Sequence, residues 1–199
     1  MPQDEHIYGQ SFLCISLAGA SSLKAVGGAL FLDRPHVYGS RLSAAVQQAA
    51  PSLVEVAAGQ HSSGATCNMT KIVSAGGEGF TVFAKSAAWA SELYADCVAP
   101  ALGQQELLVE SWIRGDKCSP SCGPNQVLDV MGVSTAGWGW RETQDHSKWA
   151  VTGDGSVGCI GDINRMTSQA KRGGGTVCTA AGALGKSLRA AVVNLSDSC

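Results

Sequence analysis

The 199-residue sequence has no apolar run long enough to cross a bilayer, so no helical membrane partner is expected. It has no low-complexity linker, and residues 1–199 read as one domain with enough chain to bury a core. It lacks a strong charge of either sign: 14 Lys and Arg face 16 Asp and Glu, a formal charge of −2. That removes the basic bias of many nucleic-acid binders. The exclusion stops at acid pH, where protonating all four histidines brings the formal charge to +2 before any carboxylate titrates. An anionic substrate therefore stays open. Paired Cys-x-x-Cys or Cys/His spacing is also missing, since Cys118 and Cys122 have no second pair nearby, and no zinc site is expected. The segment Met1–His6 is polar and acidic, unlike a basic-then-apolar export leader.

What is present is a 45% hydrophobic, 15% charged composition typical of a globular chain, with eight cysteines. So many cysteines without metal spacing read as disulfides of a lysosomal or secreted protein. Two sequons, at Asn68 and Asn194, point the same way as glycosylation sites. A disulfide-rich chain without a leader, entering a strand by Ser11–Leu17, is expected to be a truncated piece of a longer one.

Alternating patterns predict a helix over 22–32 and a hairpin of strands 70–74 and 79–84 joined by Ala75-Gly76-Gly77-Glu78. An amphipathic helix is expected over 87–102, with Ser86 as N-cap, Gly103 at its end and Trp89, Leu93, Cys97 and Ala101 as its core stripe. Strands are expected over 107–113, 127–133 and 148–152, and a final helix over 184–195. This alternation favours an α/β sandwich with a mixed sheet.

The chemistry concentrates in Asp145-His146-Ser147-Lys148-Trp149 and Cys159-Ile-Gly-Asp-Ile-Asn164. On a strand, His146 and Lys148 fall on one face. That face can hold an imidazole nucleophile beside an ammonium that binds a phosphate oxygen. Asn164, from the neighbouring strand, can donate to the same phosphoryl group. An isolated His-x-Lys is weak; three such groups within nineteen residues form a constellation.

His146-x-Lys148 followed by Gly161-x-x-Asn164 resembles the second signature of the phospholipase D superfamily. More narrowly, Asp145–Trp149, Cys159–Arg165 and Arg172–Cys178 resemble the C-terminal part of the deoxyribonuclease II family. Tyr8-Gly-Gln-Ser-Phe-Leu-Cys14 and Phe83-Ala-Lys85 extend the likeness over nearly the whole chain. The resemblance implies one of two similar phospholipase D-like halves, each giving a His-x-Lys to a shared site. It implies an acid endodeoxyribonuclease that needs no metal or cofactor, acts on the phosphate backbone of double-stranded DNA, passes through a phosphohistidine and leaves 3′-phosphate ends. His146, Lys148 and Asn164 take the catalytic positions; Arg172, Gly174 and Trp149 are the substrate-binding candidates. Acid preference suits a general acid, because free imidazole titrates near pH ~6.5.

One departure is large. His6, His36 and His61 are not followed by lysine two residues on, so the first His-x-Lys is absent. The expected remedy is a missing N-terminal half or a homodimer. Asp154 sits one residue from the superfamily's acid and is left unassigned. Trp138 and Trp140 are read as packing residues before base-stacking ones. Asp162 either orients a catalytic group or anchors a turn. Arg172-Gly-Gly-Gly175 either offers amides to a phosphate or forms a flexible loop closed by a Cys159–Cys178 disulfide, with the structural role favoured. The resemblance also implies a Cys118–Cys199 bridge, and Cys67–Cys97 is then expected as a third. Cys14 is left for the missing half and Cys122 unpaired. The alternatives are an inactive secreted DNA-binding or interaction protein on the same fold and, less favoured, a phospholipid hydrolase.

Overall fold

The run Leu107-Leu108-Val109 has no polar face to offer water, and it forms the middle of a sheet covered on both sides. A computed structural model describes residues 8–103 and 106–196. Helix α1 (Gly19–Asp33) is followed by short α2 (Ala44–Ala49) and α3 (Pro51–Ala57). Strands β1 (Cys67–Val73) and β2 (Gly79–Lys85) form the expected hairpin. After them come α4 (Ala99–Leu102), β3 (Glu106–Glu110), β4 (Gln126–Thr135), β5 (Trp138–Arg141), β6 (Trp149–Thr152), β7 (Gly158–Gly161) and β8 (Gly174–Thr179). Helix α5 (Ala183–Ala191) and β9 (Val192–Leu195) close the described chain.

The sheet runs β1-β2-β8-β7-β6-β3-β4-β5, with β9 also on β4. The β3–β4 pair is parallel and the other ladders are antiparallel, giving the mixed sheet of an α/β fold. On one face, α1 covers Ile72, Phe80, Val82 and Ala84, while Leu188 and Ala191 of α5 cover Leu108, Leu128, Trp149 and Val151. On the other, Leu93, Tyr94, Val98 and Ala99 pack on Phe83, Leu107, Val109, Val127 and Ala150.

Four expectations need correction. Residues 11–17 do not form a strand: they run extended along the fold, touching the sheet through an isolated bridge from Leu17 to Ser74. Phe12 is 77% exposed, so the run is not the buried strand its composition suggested. The 87–102 helix breaks into a 3-10 turn (Ala87–Trp89), a π-helical turn (Tyr94–Val98) and α4. Glu92 accepts from the amides of Tyr94 (3.0 Å) and Ala95 (2.6 Å) and so starts the helical turns there. Pro100 has no N–H to continue an α-helical ladder, and the turn before it is widened. Ser86 does not cap; its hydroxyl donates to Gly64 O. The last helix stops at Ala191 because the β-branched Val192-Val193 pair joins the sheet.

The covalent links differ in part from expectation. Cys67–Cys97 and Cys159–Cys178 are disulfides. Cys118 is a free thiol, which corrects the implied Cys118–Cys199 bridge; Cys199 itself lies outside the described residues. Cys122, expected unpaired, is disulfide-bonded. Burial pushes the Cys118 thiol up to about 11, where it is a poor nucleophile. No helix among the described residues is long and apolar enough to cross a membrane.

Candidate active site

Strand pairing brings one end of β2, β3, β6, β7 and β8 to a common edge. Glu110 stands opposite Trp149, Gly161 opposite Thr176, and Lys85 opposite Gly174. His146, Ser147 and Lys148 lie in the extended segment leading into β6, not on the strand as expected. The buried carboxylate of Asp145 accepts from Trp140 Nε1 (2.7 Å) and from the amide of Ser147 (2.8 Å). These two bonds use up both oxygens and shape the chain through His146.

The segment at Tyr8 closes over this turn. Gly9 N donates to Gln144 O (3.1 Å) and His146 N donates to Gly9 O (2.9 Å). A Cβ on Gly9 would stand 2.5 Å from Asp145 Oδ1, so only glycine allows the approach. The Tyr8 ring stacks flat on His146, centroids 4.3 Å apart and planes at 6°. Trp112 packs on the imidazole at a tilt, 3.9 Å between centroids. Trp112 is itself held by a 3.1 Å bond from Nε1 to Thr143 O, with the Arg114 guanidinium 5.0 Å from its ring.

Lys148 Nζ donates to the carbonyl of His146, and Lys148 O accepts from Gly161 N at 2.7 Å. That second bond ties the His-x-Lys segment to the end of β7, three residues before Asn164. Asn164 lies in the loop after β7, not on the strand itself. Its Oδ1 is buried and has no hydrogen bond among the described residues, so its amide keeps bonding capacity in reserve. Arg165 next to it is locked: its amide donates to Ser111 Oγ, and its guanidinium reaches Asp129 (2.7 Å), Ser119 O (3.0 Å) and Glu92 (3.6 Å).

The other expected site residues have different placements. Trp149 is 4% exposed and packs in the α5-side core, because β6 lies between β3 and β7. It has no face for substrate. Gly174 is buried within β8, so the glycine run is part of the sheet and not a flexible loop. A Cβ on Gly175 would lie 2.2 Å from Phe83 O. Arg172 is exposed and bonds Gln169 Oε1 at 3.1 Å. Asp162 anchors the turn: its Oδ1 accepts from Gly175 N at 2.8 Å. Asp154 caps the turn after β6, where bonds from Thr152 and Ser156 hold its carboxyl at about 2. Trp140 has its packing role, but Trp138 is 75% exposed. Asn68 and Asn194 are both exposed on strands.

Sequence reasoning missed the support layer. Glu110 is wholly buried with neither oxygen bonded among the described residues, and burial together with Asp145 and Glu142 pushes it up to about 10. Lys85 is wholly buried, its ammonium donating to the carbonyls of Gln169 (3.3 Å), Ala170 (2.7 Å) and Arg172 (2.5 Å). The signal was a charge at the end of an apolar strand, which burial permits only with partners or a shifted pKa. Among the described residues, no three His, Cys, Asp or Glu side chains are grouped to hold a metal.

Residues 1–198 match the family described as Deoxyribonuclease II. The chain is 37% identical to Deoxyribonuclease-2 of Caenorhabditis elegans, over 100% of this chain and 53% of that protein. It is 36% identical to Deoxyribonuclease-2-alpha of Rattus norvegicus, over 96% of this chain and 56% of the relative. It is 36% identical to Putative deoxyribonuclease-2 of Burkholderia pseudomallei, over 86% and 50%. The chain spans about half the length of the curated relatives it matches.

Proposed function

The chain belongs to the deoxyribonuclease II family, and on that premise we propose that it supplies one half of an acid endodeoxyribonuclease site. The observation that carries the reading is the tethering of His146 and Lys148 to the Asn164 loop through the Lys148–Gly161 bond, at a sheet end where Tyr8 and Trp112 hold the imidazole.

In this reading a histidine nitrogen forms a bond to phosphorus as the bond to the leaving 5′ oxygen breaks. A second, protonated histidine gives its proton to that oxygen. Water then cleaves the phosphohistidine, leaving a 3′-phosphate and the free imidazole. His146 fills one of these two roles, Lys148 neutralises the phosphoryl oxygens while Asn164 donates a hydrogen bond to them, and no cofactor takes part. The second histidine comes either from a second copy of this chain or from a further half that resembles this one, as the phospholipase D likeness implies. The cysteines and the exposed sequons at Asn68 and Asn194 favour a lysosomal or secreted place of action.

Plasmid relaxation at pH 5 in chelator tests the reading directly. Cleavage is expected, with His146→Ala lowering the rate about 10²- to 10⁴-fold. Equal cleavage by wild type and His146→Ala would overturn it. DNA binding without cleavage would favour the inactive binding protein.

A further inference from the structure

A cleft of about 310 Å³ opens where β7 ends and β8 begins. Its walls are Asp33, Arg34 and His36 after α1, Asp162 after β7, and Lys171 and Arg172 before β8. Arg34, His36, Lys171 and Arg172 are all exposed, and among the described residues none of the four is in an ion pair. Four potentially cationic groups therefore converge on one depression that two acids also line.

The backbone beneath holds them in place. The three carbonyls bonded by buried Lys85 are turned inward, leaving the Lys171 and Arg172 side chains on the outside. Gly173 packs so closely on α1 that a Cβ would lie 2.4 Å from Asp33 O, which joins the two walls. Arg34 has φ +54°, a left-handed conformation unusual for a residue with a side chain. Of the two acids only one offsets a cation. Asp33 is pushed up to about 8 by burial and by Asp162, so it is uncharged at acid pH, while Asp162, whose Oδ1 accepts from the Gly175 amide, is attracted by Arg172 and offsets one of the cations.

We propose that this cleft is a second phosphate subsite, taking the DNA backbone beside the scissile position through Arg34, Lys171 and Arg172. The floor at Gly173–Gly174 lies two strands from Lys148 in the order β8-β7-β6, roughly 10 Å away at ~4.8 Å per strand. That is about three nucleotides along a duplex axis at ~3.4 Å each, so one strand of DNA can reach both sites. The choice of ligand rests on the nuclease reading above.

Arg34→Gly/Lys171→Gln/Arg172→Gln removes the three charges, and glycine suits the left-handed position. The affinity of the full chain for a 12-base-pair duplex is measured by fluorescence anisotropy at pH 5 in chelator across a salt series. Binding is expected to fall about tenfold or more at low salt, and the slope of log affinity against log salt to lose about 2 to 3. An unchanged slope overturns the subsite, as does a wild type that takes inorganic phosphate but not duplex. Should the triple variant unfold by circular dichroism, Lys171→Gln/Arg172→Gln replaces it, with an expected slope loss of about 1 to 2. His146→Ala separates the two proposals: lost cleavage with retained duplex affinity leaves both standing. Duplex binding that needs the cations, in a chain that cleaves neither as a dimer nor together with a further half, overturns the nuclease reading alone.

Discussion

Glu110 takes up a proton when the chain folds. An unfolded glutamate titrates near 4.5, whereas the buried one reaches about 10, mainly through lost solvation. The folded state therefore binds more protons across that window, and stability falls as pH rises from about 4.5 towards 10. Asp33, raised to about 8, works in the same direction over a narrower window. Each group costs up to about 1.4 kcal/mol per pH unit while its two states differ in charge. Urea unfolding at pH 5 and pH 7.5 should show wild type clearly more stable at pH 5 and Glu110→Gln with a smaller difference. An undiminished difference in that variant would show that Glu110 does not take up the proton. The same uptake suits the proposed activity in acid. Little of this was legible beforehand: Glu110 follows Leu-Leu-Val in the chain, and the sequence does not say whether the strand's last residue faces water or the core.

Elements here are held by close approaches that allow no side chain. Gly175 sits between β2 and β7, and a methyl would meet the Phe83 carbonyl at 2.2 Å. Gly175→Ala is expected to lower stability by about 1–3 kcal/mol, read from the urea midpoint, because backbone must move to admit it. An unchanged midpoint would mean that the β2–β8 contact yields freely. Arg165 holds β3, β4 and the π-helical turn together through Ser111, Asp129 and Glu92. Arg165→Met leaves two buried carboxyls without their cation and should cost about 3–5 kcal/mol in the same measurement. A loss under about 1 kcal/mol would place the stabilisation elsewhere. The hairpin of β1 and β2 was readable from alternation around a glycine turn, and α1 from its period. The broken 87–103 segment was not, because the Glu92 cap and the π turn depend on what Tyr94 and Cys97 meet across the sheet.

At the scale of the whole molecule, the proposed two-histidine site requires a partner for the single His-x-Lys of this chain. If two copies combine, cleavage should co-elute with a dimer on size exclusion, and mixing wild type with excess His146→Ala should lower the specific activity of wild-type chains. Activity confined to a monomer peak of this chain would remove the dimer and the need for a second histidine alike, whereas an inactive monomer that gains activity with a further half would leave the further-half reading.

By itself the sequence determined the family, the α/β class and the three catalytic candidates, because runs such as Asp-His-Ser-Lys-Trp and Cys-Ile-Gly-Asp-Ile-Asn carry local chemistry that survives without coordinates. Only tertiary structure decided which neighbours serve them. Trp149, read as substrate-binding, is in the core because its strand is central. Tyr8, Trp112 and Lys85 were passed over as contributors, yet they meet His146 and the 169–172 loop across 138, 34 and 84 or more residues of chain. Such contacts depend on strand order and register, and no local pattern encodes those.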